Sequence, residues 1–207
     1  MQHFIFDFDG TISDSYPMFV KIGKQIIKEQ NAVNPFEDKE LLRVFKQSTK
    51  DVCRAIDWQS DFSYADFAKR FSELQEEFAS DFHPFPEAVH LLKALKEQGK
   101  NVYLYTHTGK AIYSILDRMG IGGIFDFIID ASMPFPRKPA PDALLFLMEK
   151  CNLNPEECLM IGDRPIDAEA GNNAGMKGCL WDADDFFPDC VADYKVRDLA
   201  ELETIFL

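Results

Sequence analysis

Basic residues are the first shortage. Lys and Arg number 22 against 35 Asp and Glu, a formal net charge of −13. So acidic a chain is a poor match for nucleic acid or an anionic membrane, and neither is expected as a partner. An anionic small molecule is compatible with it only where the site itself is locally positive. Long apolar runs are missing too. Nothing approaches the roughly 20 residues of a membrane-spanning helix, and no basic leader precedes an apolar stretch at the start of the sequence. Cysteine is sparse and scattered: Cys53, Cys151, Cys158, Cys179 and Cys190 are odd in number and contain no CxxC pair. That pattern excludes a disulfide framework and a zinc site, and predicts reduced thiols in a cytoplasmic protein. Internal repeats and low-complexity segments are absent. What is plentiful is phenylalanine, at 19 residues, within a chain of 207 that is 46% hydrophobic. Those figures suit one sizeable aromatic core, or a core domain with a small insertion.

The most informative stretch is His3-Phe4-Ile5-Phe6-Asp7-Phe8-Asp9-Gly10-Thr11. Its dense Phe and Ile run predicts a buried strand, central in a parallel sheet. Gly10 suits a sharp turn off the strand's end. Asp7 and Asp9 then stand at the carboxyl end of a buried strand, where open α/β sheets bind their ligands. Two carboxylates so close need a positive neighbour, and a divalent metal held by oxygens is the obvious one. A calcium loop of the EF-hand type is set aside, because its further acids and closing Glu are missing.

From Asp14 to Asp81 the pattern is helical throughout. Met18, Phe19, Ile22, Ile26 and Ile27 recur at helical spacing. A second helical pattern covers 37–45, a break falls at Gln47-Ser48-Thr49, a third covers 51–56, and a fourth opens at Ser63 with Phe67, Phe71, Leu74 and Phe78 as its apolar stripe. The prolines of His83-Pro84-Phe85-Pro86 make a rigid connector. Helices over 87–98, 109–119, 141–151, 166–174 and 199–206 then alternate with strands over 102–105, 125–129, 158–161 and 177–180. That alternation predicts βαβ units and a parallel sheet with helices on both faces. The expected architecture is α/β: a Rossmann-like, doubly wound parallel core from residues 1–13 and 82–207, with an inserted all-helical cap over 14–81.

Further chemistry collects at the strand ends. Thr106 ends the strand over 102–105, where its hydroxyl and the following backbone N–H groups could hold a phosphate. His107 next to it either touches substrate or caps the following helix. In Arg137-Lys138-Pro139-Ala140-Pro141 the prolines fix the backbone, so the Lys138 ammonium can be aimed at a phosphoryl oxygen and an acidic nucleophile. Ile161-Gly162-Asp163-Arg164-Pro165-Ile166-Asp167 repeats the glycine-and-acid strand end, and Asp167, four residues on, can lie beside Asp163. Carboxylates clustered in this way suit Mg²⁺.

Asp7-Phe8-Asp9-Gly10-Thr11 resembles the first motif of the haloacid dehalogenase-like (HAD) superfamily, whose members are mostly Mg²⁺-dependent phosphatases. Thr106, Lys138 and the pair Asp163 and Asp167 resemble its other three motifs, in the same order, and Ala174-Gly175-Met176 also matches. A helical insertion after the first motif is similar to the subclass of phosphoglycolate phosphatase and β-phosphoglucomutase. Pro86, where relatives usually carry Gly, and Arg164-Pro165 between the paired acids depart from the pattern. The resemblance implies an aspartyl-phosphate mechanism on a small phosphorylated metabolite, in a monomer or homodimer. Asp7 is then the nucleophile and Asp9 the acid and base. Asp7, Asp9 (through its carbonyl), Asp163 and Asp167 hold Mg²⁺, while Gly10, Thr106 and Lys138 serve the phosphate. It also implies that the segment around the 47–49 break, with Lys46, Ser48, Thr49 and Lys50, either reads the rest of the substrate or is a solvated loop. A phosphomutase shares every core residue named. Metal-free dehalogenation is disfavoured by Asp9 and the Asp163 pair. A non-catalytic binding module is disfavoured because no catalytic residue is lost.

Overall fold

The computed structural model describes residues 1–59 and 61–207. The chain divides into two compact units, Met1–Ser13 with Pro84–Leu207, and Asp14–His83. The Phe- and Ile-rich start forms β1 (His3–Phe6). Gly10 then takes φ +79°, a left-handed turn that glycine adopts without penalty. The turn is closed by the Ile12 and Ser13 N–H groups, each 2.9 Å from the Phe8 carbonyl.

The second unit is helical: α1 (Tyr16–Glu29), α2 (Asp38–Gln47), α3 (Thr49–Ala55) and α4 (Tyr64–Glu77). Its apolar stripes meet in an aromatic core. The Phe19 and Phe71 rings lie 5.3 Å apart edge to face, and Phe45 lies 5.7 Å from Phe71. Gly23 lets α1 approach α2, since a Cβ there would sit 2.8 Å from the Phe45 ring. The break expected over Gln47-Ser48-Thr49 narrows to Ser48 alone, extended at φ −169° and ψ 156°. The serine hydroxyl explains this: it caps the next helix by accepting the Asp51 N–H at 3.0 Å, so no longer loop is required.

The chain re-enters the first unit at Pro84, which bridges to Ser13, and the Phe85 N–H donates to the Ile12 carbonyl at 2.9 Å. Then follow α5 (Pro86–Glu97), β2 (Asn101–Tyr105), α6 (Ala111–Arg118), β3 (Phe127–Ile129), α7 (Asp142–Cys151), β4 (Cys158–Gly162), α8 (Pro165–Asn173), β5 (Lys177–Trp181), β6 (Tyr194–Val196) and α9 (Ala200–Phe206). The strand order is β3-β2-β1-β4-β5-β6, with every pairing parallel. Ile5 packs with Leu144 and Leu147 of α7 on one face, while Phe4 meets Phe206 of α9 on the other, rings 5.6 Å apart. Burial on both faces is why β1 reads as an unbroken apolar run. The sequence pattern carries no sign of the strand β6. It has three residues of which only Val196 is buried, too short to show a periodicity.

This order places the topological switch point between β1 and β4, where adjacent crossovers leave on opposite sides and open a crevice at the strands' carboxyl ends.

Candidate active site

Four side chains converge at that crevice. Asp7 directly follows β1, and its N–H extends the ladder to the Ile161 carbonyl at 2.8 Å. Asp163 directly follows β4, and Asp167 lies in the first turn of α8; Asp7 is 2% exposed and the other two 0%. One oxygen from each of these three acids lies within 4.8 Å of the others. Between them enters Lys138, from the loop after β3. Its Nζ donates to Asp7 Oδ1 at 2.5 Å, to Asp167 Oδ1 at 2.7 Å and to the Tyr105 carbonyl at 3.2 Å. An ammonium has three protons, and all three are directed. The Tyr105 ring lies 4.7 Å below the same nitrogen. Asp167 is held in turn by the Arg164 N–H on Oδ2 at 3.2 Å, and Gly162 is small because a Cβ there would run into the Asp167 side chain.

The remaining core residues take distinct places. Thr106 follows β2, is buried, and accepts the Thr108 N–H on its hydroxyl at 3.0 Å; the hydroxyl proton remains able to donate. Asp9 is half-buried, and its Oδ2 accepts from the Thr108 hydroxyl at 3.3 Å. The Gly10 N–H donates to the Ser13 carbonyl at 2.8 Å, which commits that donor to the turn. His107 caps no helix. Its Nε2 accepts the Lys138 N–H at 3.3 Å, tying the end of β2 to the lysine loop. The sequence pattern gives no sign of the parts taken by Thr108 and Tyr105. Their parts depend on partners 99 and 33 residues away, and no local spacing signals that.

Lys46, Ser48, Thr49 and Lys50 belong to the helical unit. The buried Lys46 lies with its Nζ 5.3 Å from the Tyr16 ring centroid. Ser48 is engaged with Asp51 as the cap of α3. The Thr49 hydroxyl lies 3.2 Å from that of Tyr64, and Lys50 is exposed on α3.

The family model for haloacid dehalogenase-like hydrolases matches residues 4–180, a span that contains every core residue just described. The chain belongs to that family. The hydrolase is 27% identical to a phosphoglycolate phosphatase of Aquifex aeolicus, over 87% of this chain and 84% of that one. It is 25% identical to the pyrophosphatase PpaX of Oceanobacillus iheyensis, over 97% and 94%. Its fold superposes on a haloacid dehalogenase-like hydrolase from Streptococcus pneumoniae with a TM-score of 0.85, at 18% identity, over 100% of this chain and 99% of that one.

Electrostatics decides what else the hydrolase's crevice would hold. Burial pushes the Lys138 ammonium toward the neutral form, but the Asp167 and Asp7 carboxylates outweigh it and hold its pKa above the ordinary value. Burial pushes the Asp167 carboxyl up, against the pull of Lys138. Three buried carboxylates around one ammonium leave an excess of negative charge. Asp7 Oδ2 is buried and accepts no hydrogen bond. An all-oxygen donor set with surplus charge and an unoccupied acceptor fits a hard divalent cation such as Mg²⁺. His107 is lowered to about 3, by burial first and then by the charges of Lys138, Arg137 and Arg164. It is therefore a neutral imidazole, with Nε2 as acceptor.

Proposed function

We propose that this hydrolase is a Mg²⁺-dependent phosphatase that hydrolyses a small phosphorylated metabolite through an aspartyl-phosphate on Asp7. The observation that carries the reading is Asp7 itself: one carboxylate oxygen is fixed by Lys138 and the other accepts no hydrogen bond, at the crevice where such sheets bind ligands. An aspartate oriented in this way is a competent covalent nucleophile. Its oxygen bonds to phosphorus as the ester P–O bond breaks, and Asp9 gives the leaving oxygen a proton. Asp9 then takes a proton from the water that attacks phosphorus, the Asp7–phosphorus linkage breaks and inorganic phosphate departs. Thr106 and Lys138 offset charge on the phosphoryl oxygens. Asp7, Asp163 and Asp167, with the Asp9 carbonyl, would hold Mg²⁺, which supplies Lewis-acid stabilisation of the phosphoryl charge. We assign the choice of substrate to the helical unit. Phosphoglycolate is the first metabolite to test, given the relative from Aquifex aeolicus. The five cysteines are free thiols, in keeping with a cytoplasmic setting.

The test is a panel of small phosphate esters with Mg²⁺, read as free phosphate, with Asp7→Asn as control. Steady multi-turnover release that Asp7→Asn abolishes is expected. Retained activity in a folded Asp7→Asn variant would sink the covalent mechanism. Interconversion of β-glucose 1-phosphate and glucose 6-phosphate, with almost no free phosphate, would replace hydrolysis by mutase chemistry.

A further inference from the structure

The proposed reaction asks Asp9 to do two opposite things, to release a proton to the leaving oxygen and later to take one from water. Its carboxyl group must hold one orientation in both protonation states. A partner that only donates, such as an ammonium, would favour the carboxylate and oppose the acid. A hydroxyl both donates and accepts, so it can stay bonded to the carboxylate and to the carboxylic acid alike.

Thr108 offers such a hydroxyl. Its Oγ1 donates to Asp9 Oδ2 at 3.3 Å, longer than the usual 2.7–2.8 Å of an O–H···O bond. The residue is anchored at both ends of its peptide. Its N–H donates to the Thr106 hydroxyl at 3.0 Å, and its carbonyl accepts the Ala131 N–H, also at 3.0 Å. A β-branched side chain on a fixed backbone has few χ1 choices. The chain of contacts therefore runs from the ends of β2 and β3, through Thr108, to the Asp9 carboxylate on the turn after β1.

We infer that Thr108 is a positioning residue for Asp9, holding its carboxyl group in line with the leaving oxygen through both proton transfers. This rests on the aspartyl-phosphate reading above, in which Asp9 is the acid and base. It adds a residue that the four sequence motifs do not contain.

The leaving group separates this role from simple packing. Acetyl phosphate expels a leaving group that needs little protonation, whereas an alkyl ester expels an alkoxide that needs an acid. The readout is kcat/KM, which runs only to formation of the aspartyl-phosphate, the first irreversible step, and so excludes the later attack of water. Thr108→Val should lower kcat/KM about tenfold to a hundredfold for the best alkyl ester of the panel, part of the 10²–10⁴ that a positioned acid supplies. It should leave acetyl phosphate nearly unchanged, with p-nitrophenyl phosphate between the two. Thr108→Ser, which keeps the hydroxyl, should restore the alkyl ester rate. An equal loss on acetyl phosphate, or a Thr108→Ser variant as impaired as Thr108→Val, would overturn the inference. Thermal melting accompanies each variant; if Thr108→Val does not fold, Thr108→Ala takes its place in the same series. Asp9→Asn runs alongside. If it too shows no leaving-group dependence, Asp9 is not the acid and the underlying reading fails. If it shows the dependence and Thr108→Val does not, only the role of Thr108 fails.

Discussion

At the scale of single residues, the crevice is built from groups whose ordinary behaviour has been overridden by their neighbours. Lys138 would titrate lower when buried, yet two carboxylates keep it charged. His107 is the opposite case. An imidazole ordinarily titrates near 6.5, but here it is held at about 3. The folded state therefore refuses a proton that the unfolded chain accepts. The stability that follows is fully present above pH 6.5 and is lost as the pH falls from there toward 3, because only the unfolded state gains protons in that window. His107→Gln keeps an acceptor for the Lys138 N–H and removes the titration. Urea midpoints at pH 7.5 and pH 4.5 should fall further for the wild type than for this variant. Equal drops would show that His107 carries a proton in the folded state. Much of this site was legible in the sequence, because Asp7, Lys138, Asp163 and Asp167 each sit beside a strand end, glycine or proline that marks a place. The parts of His107 and Thr108 were not, since each depends on one hydrogen bond to a distant loop.

Among the elements, α8 matters most for the chemistry, because it carries Asp167 and follows Asp163. It lies against β4 and β5 through glycines. A Cβ on Gly178 would stand 2.5 Å from the Ala168 carbonyl oxygen and 2.8 Å from the Ala168 Cα, both backbone atoms. Backbone in a packed helix cannot give way cheaply, so the helix as a whole would be pushed from the sheet. Gly178→Ala is expected to cost about 1–3 kcal/mol of stability and to reduce phosphate release by displacing Asp167. Gly123→Ala is the control, since nothing lies within 4 Å of a Cβ there. Denaturant unfolding of both variants decides it, and matching midpoints would mean that α8 tolerates the displacement. The helices and the strands β1, β2, β4 and β5 announce themselves by periodicity or by apolar runs. Buried strands of four or five residues bounded by turns leave such a trace. The three-residue β6 leaves none: it is set by pairing Trp181 with Val196 at the end of β5, a tertiary fact.

For the whole molecule, the difficulty raised by the composition has a physical resolution. A chain at −13 that acts on an anionic ester works against its own field. In the proposed enzyme Lys138 and Mg²⁺ would offset the buried carboxylates of the site and the phosphoryl charge at close range, while the many other acidic residues are distributed along the rest of the chain. Salt distinguishes these contributions. Charges farther apart than the Debye length, about 8 Å at 0.15 M ionic strength, are largely screened, and buried neighbours are screened much less. Raising NaCl from low concentration to about 0.15 M, at fixed free Mg²⁺, should therefore remove the long-range repulsion and keep the local attraction. KM for the phosphate ester is expected to fall and kcat to stay nearly constant. The same field attracts a cation, so the Mg²⁺ concentration for half-maximal activity should rise over the same range. Two trends of opposite sign from one titration are a stringent requirement. If KM rises with salt instead, the field at the crevice mouth is positive, and the acidic surface has no part in how the substrate arrives.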